Sequence, residues 1–273
     1  MPECSFAMQG TTRDGVAPML SSEDHRKIKD LRLTVFAEKF LELTNDEAND
    51  KLLPEEVFMQ AVDHALDARR SNKVDKLIKQ ARFPLPGASI AELQYLPGRK
   101  IDEARMKRYA THQWRDDPTN LLVIAPSGGG KTYIACAIGI AACHSEHSVF
   151  YTRMDVLARK LLVARGDSKV HDALLERLRD ADLLIIDDFL TVGIDQNIAS
   201  DLFGVLADRE HRLPTVIVSQ TDPTYWVQVL PDRVAGDSIV NRLANNTRWL
   251  VLGDTDMRKL KHEKARDSAG FWE

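Results

Sequence analysis

The stretch Ala125-Pro126-Ser127-Gly128-Gly129-Gly130-Lys131-Thr132 constrains this chain of 273 residues more than any other. It follows the apolar run Leu121-Leu122-Val123-Ile124 and precedes a helical pattern from Tyr133 to Ala142. A strand therefore enters a glycine-rich turn and leaves it as a helix. Gly128, Gly129 and Gly130 carry no Cβ, so the backbone can curl and aim successive N–H groups at phosphate oxygens. The helix that opens there adds the positive end of its dipole. Lys131 is placed to bridge the β- and γ-phosphates of a nucleotide, and the Thr132 hydroxyl to ligate Mg²⁺. Pro126, Ser127 and Tyr133 complete the set expected to touch ATP. The pattern G-x-x-x-x-G-K-[ST] is met except at its first position, where Ala125 adds a single methyl.

Composition narrows the class. At 44% hydrophobic residues the chain can bury a full core. No run approaches the length of a membrane span, and the N-terminus lacks a basic-then-apolar leader pattern. Three cysteines, an odd count without C-x-x-C spacing, fit a reducing compartment. The expectation is a cytoplasmic protein without a membrane partner. Cys136 and Cys143 share a helical face and are expected in the core. Cys143, His144 and His147 lack a second ligand cluster, so no metal centre is assigned to them.

The net charge of −4 hides an asymmetry. Residues 21–65 carry 11 acidic and 6 basic side chains, whereas residues 66–115 carry 12 basic and 5 acidic ones. A basic stretch in an acidic chain points to a local anionic partner, nucleic acid foremost, although a solvated helix face has the same composition.

The organisation follows from periodicity. Residues 1–20 show no sustained period and read as a flexible tail. Residues 21–82 read as a small helical module. One helix begins at Ser21-Ser22-Glu23-Asp24 and carries the stripe Ile28, Leu31, Val35, Phe36, Phe40 and Leu43. A second opens at Pro54 and runs on to Ala81, with Arg69, Arg70, Lys73, Lys76 and Lys79 on its polar side. Phe83-Pro84-Leu85-Pro86-Gly87 marks a boundary to a domain of residues 83–273. A short basic helix with Arg105, Lys107 and Arg108 then leads toward Trp114.

Beyond residue 121, short apolar strands alternate with helices: 121–124, 148–151, 183–186, 215–219 and 249–252. Five such strands predict an α/β fold, a parallel sheet covered by helices on both faces, with ligand at the carboxyl ends of the strands. The strand in Asp182-Leu183-Leu184-Ile185-Ile186-Asp187-Asp188 ends in two acids. A hard cation takes oxygen ligands, which suits Asp187. Asp188 is then placed to orient or deprotonate an attacking water. Gln220, just past the strand 215–219, points toward the same edge. Arg242, Arg248 and Arg258 follow, any of which could reach a phosphate.

Taken together these motifs resemble the IstB family, helper ATPases of bacterial insertion sequences, within the AAA+ group beside the DnaC and DnaI helicase loaders. The resemblance spans about residues 25–262. It runs through Ala81-Arg82-Phe83-Pro84, the glycine-rich loop and Ile186-Asp187-Asp188-Phe189. It continues through Ile217-Val218-Ser219-Gln220, Trp226, Asn241-Arg242-Leu243 and Asp256-Met257-Arg258. It implies an AAA+ P-loop NTPase with a short C-terminal lid, an ATP site between subunits of a homo-oligomer, and Mg²⁺ as the metal. Gln220 then takes the place of the first sensor, Arg242 that of the arginine reaching into a neighbour's site, and Arg258 that of a second sensor. Four positions depart from the family: Ala125, Asp188 where glutamate is common, Asn241 in place of aspartate, and Met257 in place of tyrosine.

The implied function is ATP-dependent regulation of transposition, with oligomers on duplex DNA bound without sequence preference and a DDE transposase recruited or stimulated. Arg69, Arg70, Lys73, Lys76, Lys79, Arg105, Lys107 and Arg108 are the expected phosphate contacts. A replicative helicase loader, a P-loop small-molecule kinase and a nucleotide-dependent scaffold without useful turnover are the alternatives.

Overall fold

The computed structural model describes residues 20–111, 116, 118–191, 193–231, 233–245 and 247–260. The expected tail, apart from Met19-adjacent Leu20, and Trp114 lie outside the described residues. Contacts divide the chain into two compact units, with the division between Asn72 and Lys73.

The first unit begins with α1 (Ser22–Asp30), entered through a capping box. The Asp24 N–H donates to Ser21 Oγ at 3.2 Å, and the Ser21 N–H donates to Asp24 Oδ2 at 3.0 Å. The stripe expected to run as one helix is broken, because α2 starts afresh at Thr34 and ends at Asn45. Arg32 turns left-handed at φ 57°, and the Leu33 N–H closes back on the Ile28 carbonyl at 3.0 Å. That 6→1 bond is a helix-terminating closure, which apolar spacing does not register. A third helix, α3 (Pro54–Ala81), begins in this unit. Phe58 on α3 meets Phe36 edge-on with centroids 5.2 Å apart, and Phe40 stacks on Phe36 at 5.9 Å. Ala61, also on α3, is fully buried.

The second unit starts with the last turns of α3, whose Ala81 is buried in its core. It continues through α4 (Glu103–Ala110), β1 (Asn120–Ile124), α5 (Lys131–His144), β2 (Val149–Arg153), α6 (Met154–Ala164) and α7 (Ser168–Asp180). Then come β3 (Leu183–Asp187), α8 (Gln196–Arg209), β4 (Thr215–Ser219), α9 (Pro223–Val229), α10 (Arg233–Asn245) and β5 (Thr247–Val251). All five strands are parallel, in the order β2-β3-β4-β1-β5. The last strand starts two residues earlier than its apolar run indicates.

Side chains alternate across the sheet. Leu183 and Ile185 join Leu121, Val123 and the apolar face of α5 on one side, where Cys136 and Cys143 are fully buried. Leu184 and Ile186 join Leu122, Ile217 and helices α6 to α8 on the other. Burial pushes both thiols up to about 12. Among the described residues, no helix is long and apolar enough to cross a membrane.

Candidate active site

The strand order places three segments side by side. β4 lies between β3 and β1, so the loop after β1, the acids ending β3 and Gln220 just past β4 share one edge of the sheet. The loop needs its glycines for different reasons. Gly128 and Gly130 adopt φ of 85° and 81°, a left-handed backbone that other side chains rarely take. A Cβ on Gly129 would stand 2.9 Å from the Ala125 methyl. Ala125 is therefore packed against a position that only glycine fills, which explains why the methyl is tolerated. Gly130 caps the N-terminus of α5.

Lys131 is largely buried, and its Nζ donates to the Pro126 carbonyl at 2.9 Å. Burial lowers its pKa from the ordinary value of 10.5, Asp188 and Asp187 oppose that shift, and Arg258 adds to it. The next side chain is turned to β3. Thr132 Oγ1 donates to Asp187 Oδ2 at 2.7 Å, and Asp187 is 1% exposed. The loop and the acid thus present a hydroxyl and a carboxylate oxygen to one point, a pair that fits a hard cation.

Two partners of the acids carry no sequence signal of their own. Tyr151 on β2 donates its hydroxyl to Asp187 Oδ2 at 2.7 Å. Burial, and then the negative charge of Asp187, raise the pKa of this tyrosine, so it stays a donor. Arg153, at the end of β2, lies 3.3 Å from Asp188 Oδ2 and 3.2 Å from Asp155 Oδ1 through its Nε. Knowledge that β2 pairs with β3 in the register Arg153 to Asp187 would have exposed both residues. The sequence contains the strands but not their pairing.

Asp188 sits at φ 51°, and its N–H donates to Asp187 Oδ1 at 2.8 Å. Aspartate takes a left-handed backbone several-fold more readily than most residues, a physical reason for the shorter acid here. Beyond the turn, Ser219 Oγ donates to the Phe189 carbonyl at 3.0 Å and accepts the Trp226 indole N–H at 3.3 Å. Trp226, fully buried, stacks edge-on against Phe189 at 4.8 Å and fixes the end of β4 from which exposed Gln220 emerges.

The other expected residues fall elsewhere. Met257 donates its N–H to the Gly128 carbonyl at 3.0 Å, which brings the 256–258 segment onto the loop, with the Arg258 side chain exposed. Arg248 lies within β5, opposite Leu121. Arg242 is on α10, where its Nε pairs with Glu210 Oε2 at 2.9 Å and its guanidinium covers the Phe203 ring. Its carbonyl accepts from the Asn120 side chain at 3.4 Å, at the start of β1. Of the eight expected DNA contacts, Arg69 and Arg70 belong to the first unit, where Arg69 donates to the Arg32 carbonyl at 3.2 Å. In the second unit Lys73 pairs with Glu146, Lys107 with Glu103 at 2.7 Å, and Arg105 donates to the Trp249 carbonyl. Lys76, Lys79 and Arg108 are exposed and form no ion pair among the described residues.

A parallel sheet in this order, with a glycine-rich loop leaving β1 and a buried carboxylate ending β3, is the fold of P-loop ATPases of the AAA+ type. Residues 26–265 match the family described as IstB-like ATP binding protein, and the chain belongs to that family. It is 29% identical to the insertion sequence ATP-binding protein y4pL of Sinorhizobium fredii, over 90% of this chain and 100% of that one. The fold is shared with AMPPCP-bound DnaA from Aquifex aeolicus, at a TM-score of 0.55 and 17% identity over 67% of this chain and 56% of that chain. DnaI shares it too, at 0.51 and 20% over 63% of this chain and 91% of that one. The chain binds ATP and is an ATPase.

Proposed function

We propose that the chain is an ATP-dependent, DNA-binding regulator of transposition that assembles on duplex DNA and recruits or stimulates a DDE transposase. The supporting observation is the place of Arg242. Its backbone is tied to Asn120, at the opposite end of β1 from the phosphate loop. A five-residue strand spans on the order of 13 Å between its end residues, farther than an arginine side chain reaches. That place supports a role for Arg242 at a neighbouring subunit's ATP, where a trans arginine is worth roughly 10³–10⁵ in rate.

Within one subunit the phosphates lie on the N–H groups of Gly128 to Lys131, Thr132 and Asp187 hold Mg²⁺, and Asp188 faces the attacking water beside Gln220. The ion neutralises charge on the phosphates. Of the eight expected contacts, Lys76, Lys79 and Arg108 are exposed and without ion pairs among the described residues, which leaves them able to meet DNA phosphates. The chain's kinship with insertion sequence proteins supports the mobile-element context over a kinase.

The test is ATP turnover against protein concentration, with and without duplex DNA, followed by pull-down with the transposase of the same element and with a replicative helicase. Turnover that rises with concentration and DNA, and capture by the transposase, is the expected result. Turnover indifferent to both, or capture by the helicase alone, contradicts the transposition reading.

A further inference from the structure

Arg99 belongs to the turn Pro97–Arg99, in a stretch without period, and is 2% exposed. Three segments close around it. Its Nη1 donates to the Gln94 carbonyl at 2.9 Å, and its own carbonyl accepts the Gly253 N–H at 2.9 Å. Its Nη2 faces the phosphate loop, since a Cβ built on Gly130 would stand 2.7 Å from it and 3.4 Å from Met257 Cγ. Its Nε is buried without a hydrogen-bond partner. Among the described residues no carboxylate forms an ion pair with it, and the nearby ionisable groups are the hydroxyls of Tyr95 and Tyr133.

A buried guanidinium is costly unless its charge and its donors are matched. Here the cation sits against Gly130, which caps α5 at the loop built to receive an anion. A forked donor beside such a loop matches the oxygens of a phosphate group. Burial also lowers the pKa of Arg99, which agrees with a cation awaiting an anionic partner.

We propose that Arg99 is a nucleotide-binding residue whose free guanidinium N–H groups donate to phosphate oxygens of the nucleotide held by the Gly128–Thr132 loop. The assignment rests on the ATP site proposed above and adds a cation beside Gly130. It also couples the 94–99 turn to nucleotide through the Arg99 side chain, and the 253 segment is tied to the same residue through its backbone carbonyl.

The test compares ADP and adenosine binding by calorimetry in the full chain and in Arg99→Gln, with melting temperatures alongside. ADP affinity is expected to fall about 10- to 100-fold while adenosine affinity is unchanged. An Arg99→Gln protein that melts normally and binds ADP as the wild type does overturns the assignment. An equal loss for both ligands also overturns it, since that marks a scaffolding role. If Arg99→Gln fails to fold, the Nε–H resonance of Arg99 in the wild-type protein decides, assigned by its loss in Arg99→Lys. It is expected to shift with ADP and not with adenosine, and a resonance unmoved by ADP overturns the assignment. A wild-type chain that binds neither ADP nor ATP overturns the ATP site itself, a result distinct from these.

Discussion

Thr132 and Asp187 meet through a 2.7 Å hydrogen bond, although 55 residues separate them. One is the second residue of α5 and the other the last residue of β3, so the bond joins the phosphate loop to the acid two strands away. Two constraints place it there. The loop curls through left-handed turns at Gly128 and Gly130 and is tied to the 256–258 segment by the Met257 N–H, and Asp187 Oδ2 also accepts the Tyr151 hydroxyl. The pair proposed to hold Mg²⁺ is thus in place before any ligand arrives, which limits reorganisation on binding.

Tyr151→Phe removes only the hydroxyl that steadies Asp187. A hydrogen bond to a charged group contributes about 1.5–3 kcal/mol to stability, so Tm is expected to fall by a few degrees and kcat about tenfold as Asp187 loses its anchor. Steady-state ATP hydrolysis and a melting curve check this together. An unchanged kcat would mean that Asp187 needs no support from β2.

Gly139 lies in the middle of α5, where alanine improves helix propensity by about 1 kcal/mol. Packing opposes the gain. A Cβ there would come within 2.5 Å of Phe83 Cε1 and 2.9 Å of Ile185 Cδ1. Overpacking of this kind costs about 1–3 kcal/mol, so Gly139→Ala is expected to lower Tm by a few degrees. A raised Tm in calorimetry would contradict the close seat of α5 on the sheet.

The lowered pKa of Lys131 sets a pH dependence with a definite sign. In the folded chain the amine loses its proton below 10.5, so the unfolded state binds more protons between the two values. Stability contributed by this group therefore rises with pH through that window, while ADP affinity falls, because phosphate favours the charged amine. Titration calorimetry from neutral to alkaline pH is expected to show the affinity loss beginning below 10.5, and Lys131→Met is expected to flatten it. A loss that persists in Lys131→Met belongs to another group.

How much could be read from residue order depends on the range of the determinant. The glycine-rich loop, the double acid and the five strands are local patterns, and the structure contains each where its run of residues lies. The break between α1 and α2 depends on a carbonyl closure at Ile28 that leaves the apolar stripe intact. Tyr151 and Arg153 become site residues only through the pairing of β2 with β3, which is a choice of topology. Arg99 had no periodic context at all. Its burial arises from three segments far apart in the chain, a tertiary fact with no local trace.

In the proposed assembly one chain supplies the phosphate loop and another the arginine. Lys131→Ala and Arg242→Ala should each be inactive alone, with Arg242→Gln, which keeps the stem over Phe203, as a check on folding. Mixed in equal amounts on duplex DNA, they should recover turnover, since about a quarter of randomly formed interfaces pair an intact loop with an intact arginine. A mixture as dead as its parts, beside an active wild type, would contradict the account, as would an Arg242→Ala protein that hydrolyses ATP normally.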